Sequence, residues 1–436
     1  MNKQFASYES YKDSGVEWLG QIPAHWELLS NKNLFTIKKD LVGKLSANYD
    51  LLSLTLHGVI KRDMENPQGK FPAEFNTYQK VKNNDFIFCL FDVEETPRTV
   101  GLSKFNGMIT GAYTVMSIQQ NNHKNEYFYY FYLNIDAAKM MKPLYTGLRN
   151  TIQKETFMSF KSFVPPFEEQ QRIADFLDKK TAQIDEAIAQ KEKMIELLKE
   201  YRQVTINNAV TKGLDPNVPM KDSGIEWLGQ IPTHWKVSRV KQCSNKISKG
   251  TTPSTEGGSI LDEGPIRYIK AENIQEGSIT NVPAHFIDKR TNFLIRRSEL
   301  KENDVLFVIA GATLGKVAII SKYETPSNTN QAVAFIRPNS TITPQYLCVW
   351  LTSSTISKLI WIDAVQSAQP NLSMEDLGNF PIFLPEISEQ KIILSYLEKI
   401  MTKISSSILL KTEEITKLKE YKATLIDSAV TGKIKV

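Results

Sequence analysis

The fold is decided by a stretch that occurs twice, KDSGVEWLGQIPAHW at residues 12–26 and KDSGIEWLGQIPTHW at residues 221–235. Two substitutions separate these fifteen-residue segments, which lie 209 positions apart. A second pair lies further along the chain, VPPFEEQQRIADFLD from residue 164 and LPEISEQKIILSYLE from residue 384, at an offset of 220. Because self-similarity of this kind indicates duplicated structure, the chain is predicted to be a tandem repeat of about 210 residues.

The duplication gives the chain six predicted segments, three for each copy. Each copy begins with a lead segment, continues through a variable block and ends in a tail with helical periodicity. The predicted boundaries are a first lead segment at 1–26, a first variable block at 27–163, a first long helix at 164–213, a linker with the second lead segment at 214–235, a second variable block at 236–383 and a second long helix at 384–436. Since the second lead segment directly follows the first helix, we expect the first lead segment to lie beside the end of the second helix, near residue 432.

The two tails carry the apolar spacing of paired helices. Apolar residues recur at intervals of 4, 7, 4, 7 and 3, which is the a and d pattern of a coiled-coil seam. The predicted seam consists of Ile173, Leu177, Ile184, Ile188, Ile195, Leu198, Ile393, Leu397, Ile404, Ile408, Ile415 and Leu418. Prolines precede the tails and glycines follow them, as at helix starts and stops, at Pro165, Pro166, Pro385, Gly213 and Gly432. We therefore expect two antiparallel helices of about 40 residues, or roughly 60 Å each.

The variable blocks differ from each other and are predicted to be α+β domains. Short β-like runs include DFIFCLF at 85–91 in the first block, and DVLFVIA at 304–310, KVAII at 316–320 and AVAFI at 332–336 in the second. Residues 127–133 and 346–359 are predicted to form helices that close each block. The predicted fold class is α+β, with two domains of curved, mixed or antiparallel sheets separated by the antiparallel helix pair and related by a pseudo-twofold axis.

The excess of positive over negative charge in this chain lies in the variable blocks. The 436 residues carry 53 Lys and Arg against 48 Asp and Glu, a net charge of +5. Residues 27–163 carry 17 basic and 13 acidic side chains, and residues 236–384 carry 16 and 13. This excess permits a nucleic-acid partner without requiring one. Three widely spaced cysteines, the lack of a long apolar run and an N-terminus without a signal-peptide core predict a cytoplasmic protein without membrane contact.

The duplicated plan resembles that of the specificity subunit of type I restriction-modification systems over the full chain. The resemblance rests on the doubled D-S-G-x-E-W-L-G-x-I-P-x-H-W segment and on the doubled helix start P-x-x-x-E-Q-x-x-I-x-x-x-L, which begins at Pro165 and at Pro385. In the second block, ISKGTTPS at 247–254, PIRYIKAENI at 265–274 and LFVIAGATLGKVAII at 306–320 are similar to the target recognition domains of that family. The first block departs from this pattern and has SANYDLL and FDVEETPRTVGL in the corresponding places.

The resemblance implies a DNA-recognition subunit that is not itself catalytic. Each block would be a target recognition domain for one half of a bipartite, asymmetric DNA site, and the helices would set the spacing between the halves. The implied partners are double-stranded DNA, two methyltransferase subunits that methylate adenine at N6, and restriction and translocase subunits that cleave. No cofactor or metal is expected on this chain, because S-adenosylmethionine, ATP and Mg²⁺ are expected on the partner subunits.

The candidate DNA-binding residues are basic, amide and hydroxyl side chains in predicted loops. Basic side chains and the backbone N–H groups of GTTPS at 250–254 suit phosphate, whereas amides suit bidentate contact with adenine. The candidates are Lys44, Arg98, Lys104, Arg149, Asn150, Lys249, Thr251, Thr252, Ser254, Lys270, Asn273, Lys316, Asn328, Asn330, Gln331, Gln366, Gln369 and Asn371. An ordinary turn, cap or ion-pair role is an equal alternative for each of them, such as pairing of Arg98 with Glu94 or Glu95.

Aromatic residues of the lead segments are predicted to fasten each block to a helix. Base stacking is the alternative, but residues shared by two unlike blocks are better suited to packing. The residues concerned are the tryptophans Trp18, Trp26, Trp227 and Trp235, together with His25 and His234, which are interpreted as packed or capping side chains.

Two segments imitate catalytic motifs without satisfying them. GATLGK at 311–316 lacks the spacing and the Ser or Thr of a P-loop, and VPPF at 164–167 has Val where an adenine methyltransferase needs Asn or Asp. We therefore expect a protein that is not an enzyme. Two other classes stay open, a self-sufficient DNA-modifying enzyme with a degenerate site and a coiled-coil scaffold that binds only protein.

Overall fold

The chain divides into two units, Met1–Glu192 with Thr412–Val436, and Lys193–Lys411. The computed structural model describes residues 5–15, 20–65, 74–119, 122–225, 228–275, 277–364 and 371–436, with the backbone alone at 361–364. Each unit contains one α+β domain, the start of one long helix and the end of the other, which confirms the predicted fold class. Among the described helices, none is both long and apolar enough to cross a membrane.

The first unit is built around an antiparallel sheet. Its strands are β1 (Tyr11–Asp13), β2 (Gln21–Pro23), β3 (Glu27–Ser30), β4 (Phe35–Ile37), β5 (Leu52–Thr55), β6 (Gly58–Lys61), β7 (Gln79–Val81), β8 (Phe86–Phe88), β9 (Val100–Leu102), β10 (Gly107–Ile109), β11 (Thr114–Ile118) and β12 (Lys161–Val164), and its helices are α1 (Asn31–Leu34), α2 (Asn125–Ala137), α3 (Lys154–Ser159) and α4 (Phe167–Lys212), which continues into the second unit. The central sheet has the order β4-β11-β8-β9, and further two-stranded pairs are β1-β2, β3-β12, β5-β6 and β7-β10. Strand β8 lies within the predicted run at 85–91.

Both faces of β8 are buried, which explains its unbroken apolar sequence. Phe86 and Phe88 point to one face, where the ring of Phe88 lies 5.1 Å from the ring of Tyr132 on α2. Ile87 points to the other face and packs with Leu52 and Val59 of the β5-β6 hairpin. Since successive side chains of a strand alternate between faces, three apolar residues in a row require cover on both sides.

The second unit contains a second antiparallel sheet and a smaller mixed sheet. Its strands are β13 (Met220–Asp222), β14 (Gln230–Pro232), β15 (Lys236–Arg239), β16 (Ser244–Lys249), β17 (Ile266–Ile269), β18 (Ile274–Gln275), β19 (Ser278–Ile279), β20 (Phe286–Ile287), β21 (Val305–Val308), β22 (Val317–Ile319), β23 (Ser327–Thr329), β24 (Val333–Pro338) and β25 (Pro381–Leu384), and its helices are α5 (Lys289–Leu294), α6 (Pro344–Leu351), α7 (Ser354–Ala364), α8 (Met374–Asn379) and α9 (Ile387–Val430), which continues into the first unit. The antiparallel sheet has the order β16-β24-β21-β22, and the mixed sheet β20-β17-β23 has β17 and β23 parallel. The predicted strands at 304–310, 316–320 and 332–336 are confirmed as β21, β22 and β24.

The two long helices pair antiparallel within each unit. In the first unit the Lys191 Nζ lies 2.5 Å from a Glu414 carboxylate oxygen, and the Lys422 Nζ lies 2.6 Å from an Asp185 oxygen. In the second unit, Val210 at the end of α4 shares one buried core with residues at the start of α9. Of the predicted seam, Ile173, Leu177, Ile184, Ile188, Ile393, Leu397, Ile404 and Ile415 are buried, and Ile195, Leu198, Ile408 and Leu418 are partly buried.

The long helices begin and end at the prolines and glycines that the sequence predicted as their limits. The Pro166 carbonyl accepts hydrogen bonds from the backbone N–H groups of Glu169 and Gln170, in the first turn of α4. Gly213 and Gly432 follow the two helices with φ angles of 75° and 73°, in the left-handed region that glycine tolerates best. The helices extend for 46 and 44 residues, somewhat longer than the 40 expected.

The ends of the chain meet in the first unit. The Tyr11 hydroxyl donates to the Gly432 carbonyl at 3.2 Å, and the Lys435 backbone N–H donates to the Ala6 carbonyl at 2.7 Å. The expectation that the first lead segment lies beside the end of the second helix is therefore confirmed.

One helix prediction needs correction. Residues 346–359 were expected to form one helix, but the structure has two, α6 and α7, with a break at 352–353. The Thr352 hydroxyl donates to the Val349 carbonyl, and the hydroxyls of Ser354 and Thr355 donate to Asn207 Oδ1 on α4 at 2.9 and 2.8 Å. Short hydroxyl side chains that bond to nearby backbone or to another element compete with helical continuation, and the apolar periodicity does not reveal this.

Candidate nucleic-acid interface

A buried carboxylate at the start of α4 joins the first lead segment to the helix. Oxygens of Glu169 accept hydrogen bonds from the Tyr8 hydroxyl at 2.5 Å, the His25 ring nitrogen at 2.8 Å and the Trp26 indole nitrogen at 3.0 Å. Burial alone would raise the pKa of Glu169, but these three hydrogen bonds outweigh it and hold that pKa below its usual value. The next residue, Gln170, accepts from the Lys124 backbone N–H just before α2 at 2.9 Å.

The second unit repeats this arrangement at the start of α9. Oxygens of Glu389 accept from the His234 ring at 2.9 Å and from the Trp235 indole at 3.1 Å. Gln390 accepts from the Thr343 backbone N–H just before α6 at 2.9 Å. In each copy, therefore, the Glu and the Gln at the start of the long helix hold the lead segment and the domain in place.

The lead-segment aromatics are packing residues where the structure describes them. Trp26 and Trp235 are fully buried, whereas Trp18 and Trp227 lie outside the described residues. The histidines are half-exposed and bond to the helix-start carboxylates, in agreement with a structural interpretation. The sequence predicted Glu169 and Glu389 as part of a helix start, but it did not predict their hydrogen bonds to the lead segments. The sequence did contain a sign of this role, because both the His-Trp pair and the glutamate recur in both copies. A polar residue that two unlike domains share is expected to belong to their common scaffold.

In the first unit, most candidate DNA contacts already have partners within the protein. Arg98 donates to the Tyr129 hydroxyl at 3.2 Å, a partner other than the Glu94 or Glu95 carboxylate that the sequence left open as an alternative to DNA contact. Arg149 forms a bidentate ion pair with Asp92, and this pair holds the pKa of the Asp92 carboxyl below its usual value. The Asn150 amide donates to Glu95 Oε1 at 3.1 Å.

Two further candidates of the first unit are exposed cations. Lys44 lies in a short 3-10 helix at Gly43–Asn48, and Lys104 lies in the turn between β9 and β10. Both can reach phosphate without giving up an internal bond that the structure shows.

Three candidates of the second unit are buried, and their side chains bond within the protein. Thr251 is 5% exposed, and its hydroxyl accepts from Arg297 and Ser298 at 3.2 Å. Asn273 and Asn328 are fully buried. The Asn273 amide donates to the Pro283 carbonyl at 2.7 Å, and the Asn328 amide donates to the Ile295 carbonyl at 3.2 Å. The Asn273 and Asn328 amides thus satisfy buried backbone carbonyls, and the Thr251 hydroxyl satisfies two side-chain donors. All three side chains hold the surrounding loops in shape.

The structure brings together two motifs that lie far apart in the sequence, GTTPS at 250–254 and SNTNQ at 327–331. The Thr251 backbone N–H donates to the Thr329 carbonyl at 3.0 Å. At Gly250 an added Cβ would lie 2.2 Å from the carbonyl oxygens of Thr329 and Asn330, so only glycine allows this close approach. The glycine thus lets the loop pack directly against β23, while Ser254 at the other end of the loop is exposed to solvent.

The remaining candidates of the second unit form its accessible set. Lys249, Ser254, Lys316, Gln331 and Asn371 are exposed, whereas Thr252, Lys270 and Asn330 are partly buried. Gln366 and Gln369 lie outside the described residues. Lys270 makes a long ion pair with Glu272 at 3.7 Å. Within the described part of the chain, no cluster of three His, Cys, Asp or Glu side chains is placed to hold a metal ion.

A known protein family matches this chain twice, in agreement with its duplicated architecture. The sequence matches the type I restriction modification DNA specificity domain twice, at residues 25–197 and 232–419. The chain belongs to the family of type I restriction-modification specificity subunits. The first match begins at His25 and the second at Pro232, two residues before His234, and both extend into the long helices. Each match therefore spans one copy of the duplication.

Individual relatives of this specificity subunit are distant. The specificity subunit of the type I restriction enzyme EcoBI from Escherichia coli is 26% identical over 293 residues, which cover 65% of this chain and 60% of that protein. The MjaVIII specificity subunit from Methanocaldococcus jannaschii is 25% identical over 334 residues, which cover 74% of each chain. The aligned part thus covers less than two thirds of the EcoBI subunit.

Solved structures share the specificity-subunit fold at low sequence identity. A chain from a study of complex assembly and conformational transition of the type I R-M system has 14% identity and a TM-score of 0.68, and covers 94% of this chain and 98% of its own. The HsdS subunit from Thermoanaerobacter tengcongensis has 14% identity and a TM-score of 0.54, with 97% and 100% covered. At such identity the likeness concerns the fold alone.

Proposed function

We propose that this specificity subunit recognises double-stranded DNA and that each of its two α+β domains binds one half of a bipartite, asymmetric site. The observation that carries the proposal is a scaffold that is alike in both copies and supports unlike domains. Glu169 and Glu389 make the same contacts to His-Trp pairs, yet the loops above them differ in sequence and in bonding. Such an arrangement would keep the common scaffold the same while the two domains recognise different DNA sequences.

The two domains offer different chemistry to DNA. In the second, Lys249, Lys316 and Gln331 are exposed around a loop whose buried Thr and Asn side chains fix its shape. In the first, Arg98 and Arg149 are engaged by Tyr129 and Asp92, so a base contact by either would require exchange of that partner. Exposed cations position a protein on phosphate, and base specificity then comes from the amide and guanidinium groups nearby.

The long helices would set the distance between the half-sites and would carry the partner subunits. At 1.5 Å per residue, helix α4 with its 46 residues is roughly 70 Å long. Two half-sites on one face of B-DNA lie about 34 to 36 Å apart, or a multiple of this. Two methyltransferase subunits would supply S-adenosylmethionine and methylate adenine at N6, and restriction and translocase subunits with ATP and Mg²⁺ would cleave. This chain would contribute recognition and no catalysis.

A domain exchange tests the proposal. Residues 27–163 are replaced by the corresponding block of another specificity subunit, and the chain is assembled with its methyltransferase subunits. We expect DNA footprints and methylated adenines to change in one half of the site and to stay the same in the other. A chain with the block at 236–383 exchanged is the matched control and should change the other half. A sequence-independent footprint or a change in both halves would contradict the proposal, and a complex that leaves no footprint on DNA would favour a protein-only scaffold.

A further inference from the structure

A cavity of about 570 Å³ lies within the second unit, between its α+β domain and the long helices. Its apolar wall comes from α4, from the turn before β22 and from α9, through Ile206, Leu314, Leu397 and Met401. Cys348 and Val349 of α6 complete this wall. Small-molecule sites commonly have volumes of about 300 to 1,000 Å³ and apolar walls with a few polar groups.

The two units differ in the side chains at the place of this cavity. Tyr127 on α2 and Tyr346 on α6 are equivalent, since their hydroxyls donate to the carbonyls of Phe163 and Phe383 at 3.3 and 3.2 Å. The residues two and three positions later are therefore equivalent as well. They are Tyr129 and Tyr130 in the first unit, and Cys348 and Val349 in the second.

The two tyrosines of the first unit occupy the space that is open in the second. The Tyr130 hydroxyl lies 2.7 Å from Asp178 Oδ1 and 3.1 Å from Thr181 Oγ1, so its side chain reaches from α2 to α4. Thr181 is the equivalent of Met401 in the cavity wall, at the offset of 220. Tyr129 accepts a hydrogen bond from Arg98, just before β9. Cys348 and Val349, with shorter side chains at these positions, line the cavity of the second unit.

The charged groups that line the cavity, among the described residues, are cations. Lys199 and Arg202 lie on α4, and Lys316 lies immediately before β22, where Arg98 precedes β9 in the first unit. Lys316 is exposed at the rim. Lys199 pairs with Glu196 on the helix surface, where both side chains are more than half-exposed. Exposed pairs of this kind contribute little, so Lys199 can turn to an anion at small cost.

We propose that this cavity binds an organic anion with an apolar body. The walls would bury the apolar part, and the cations at the rim would pair with the negative charge, in the manner of charge-assisted hydrogen bonds. A bound anion would contact α4, α9 and the domain at once. It would therefore stabilise the second unit, since a ligand that binds only the folded state raises the midpoint of unfolding. The first unit has Tyr129 and Tyr130 in this place and would not bind it.

The experiment uses the full chain and the fluorescent anion 8-anilinonaphthalene-1-sulfonate. We expect saturable binding of one dye per chain, with an affinity at least tenfold higher than for the neutral analogue N-phenyl-1-naphthylamine and with a difference that shrinks as salt is added. Equal affinity for the two dyes, or dye binding that does not saturate, would overturn the proposal.

Two variants locate the bound dye. Val349→Tyr introduces the side chain found at the equivalent position of the first unit, and Lys316→Glu reverses a charge at the rim; each should weaken dye binding at least tenfold. Val237→Tyr and Lys301→Glu are matched controls at exposed positions outside the cavity and should change affinity less than twofold. Since Lys316 is exposed, its variant folds even if Val349→Tyr does not. Unchanged affinity in Lys316→Glu would refute a site here.

Discussion

At the scale of single residues, Glu169 shows how a buried charge can fasten two parts of a fold. The carboxylate is nearly inaccessible to solvent, and its oxygens are bonded to Tyr8, His25 and Trp26. The folded protein lowers its pKa below that of the unfolded chain. A group of this kind contributes stability above its unfolded pKa of about 4.3, and the contribution is lost as pH falls through the folded pKa.

We therefore predict that Glu169→Gln lowers the free energy of unfolding of the first unit by about 1 to 3 kcal/mol at pH 7, the usual loss when a buried group loses a charged partner. The variant should also lose stability less steeply below pH 4.5 than the original chain. Urea unfolding followed by tryptophan fluorescence at pH 7 and pH 4 measures both effects. Glu168→Gln, one position away and exposed, is the control. Equal stability of the two variants would show that the carboxylate does not fasten the lead segment.

At the scale of elements, the helix pair is the part that the sequence predicted in greatest detail. Eight of the twelve seam residues are buried and four are partly buried. The partly buried ones include Ile195 and Leu198 in the second half of α4. The ion pairs Lys191–Glu414 and Asp185–Lys422 fix which residues face each other.

That register allows a deletion that keeps the pairing. Removing residues 190–196 and 410–416 takes seven residues from facing positions and preserves the a and d pattern. If the helices set the spacing, we predict that the preferred gap between half-sites shrinks by about three base pairs, because seven residues span roughly 10 Å of helix. Footprinting the assembled complex on sites of graded gap length measures this. Deleting 190–196 alone should instead destabilise the helix pair, and an unchanged gap in the double deletion would exclude the helices as spacers.

At the scale of the whole molecule, two similar units share two helices, and the ends of the chain meet within one unit. The Lys435 backbone donates to Ala6 in the first unit, where the corresponding connection of the second unit is the continuous chain after Gly213. The duplication therefore provides two places for recognition, and catalysis is left to other subunits in the proposed function.

For the chain alone we predict no transfer of a labelled methyl group from S-adenosylmethionine to DNA. Addition of the methyltransferase subunits should restore transfer, since the proposed role of this chain is to place the adenine and not to methylate it. Scintillation counting of recovered DNA is the measurement, and a separately purified methyltransferase without this chain is the control. Label incorporated by the chain without partners would support the self-sufficient enzyme instead.

The sequence by itself determined the duplication, the long helices with their seam, the α+β character of the domains and the meeting of the two chain ends. These features follow from periodicity and from comparing one part of the chain with another, and both depend on the order of the residues rather than on which residues are in contact. The tertiary structure was needed to show that Thr251, Asn273 and Asn328 are buried and that Glu169 and Glu389 anchor the lead segments. It also shows that Cys348 and Val349 line a cavity at the positions that Tyr129 and Tyr130 hold in the first unit. Burial and hydrogen bonding depend on partners tens to hundreds of residues away, such as Glu169 with Trp26 at a separation of 143 residues, and no local pattern records them.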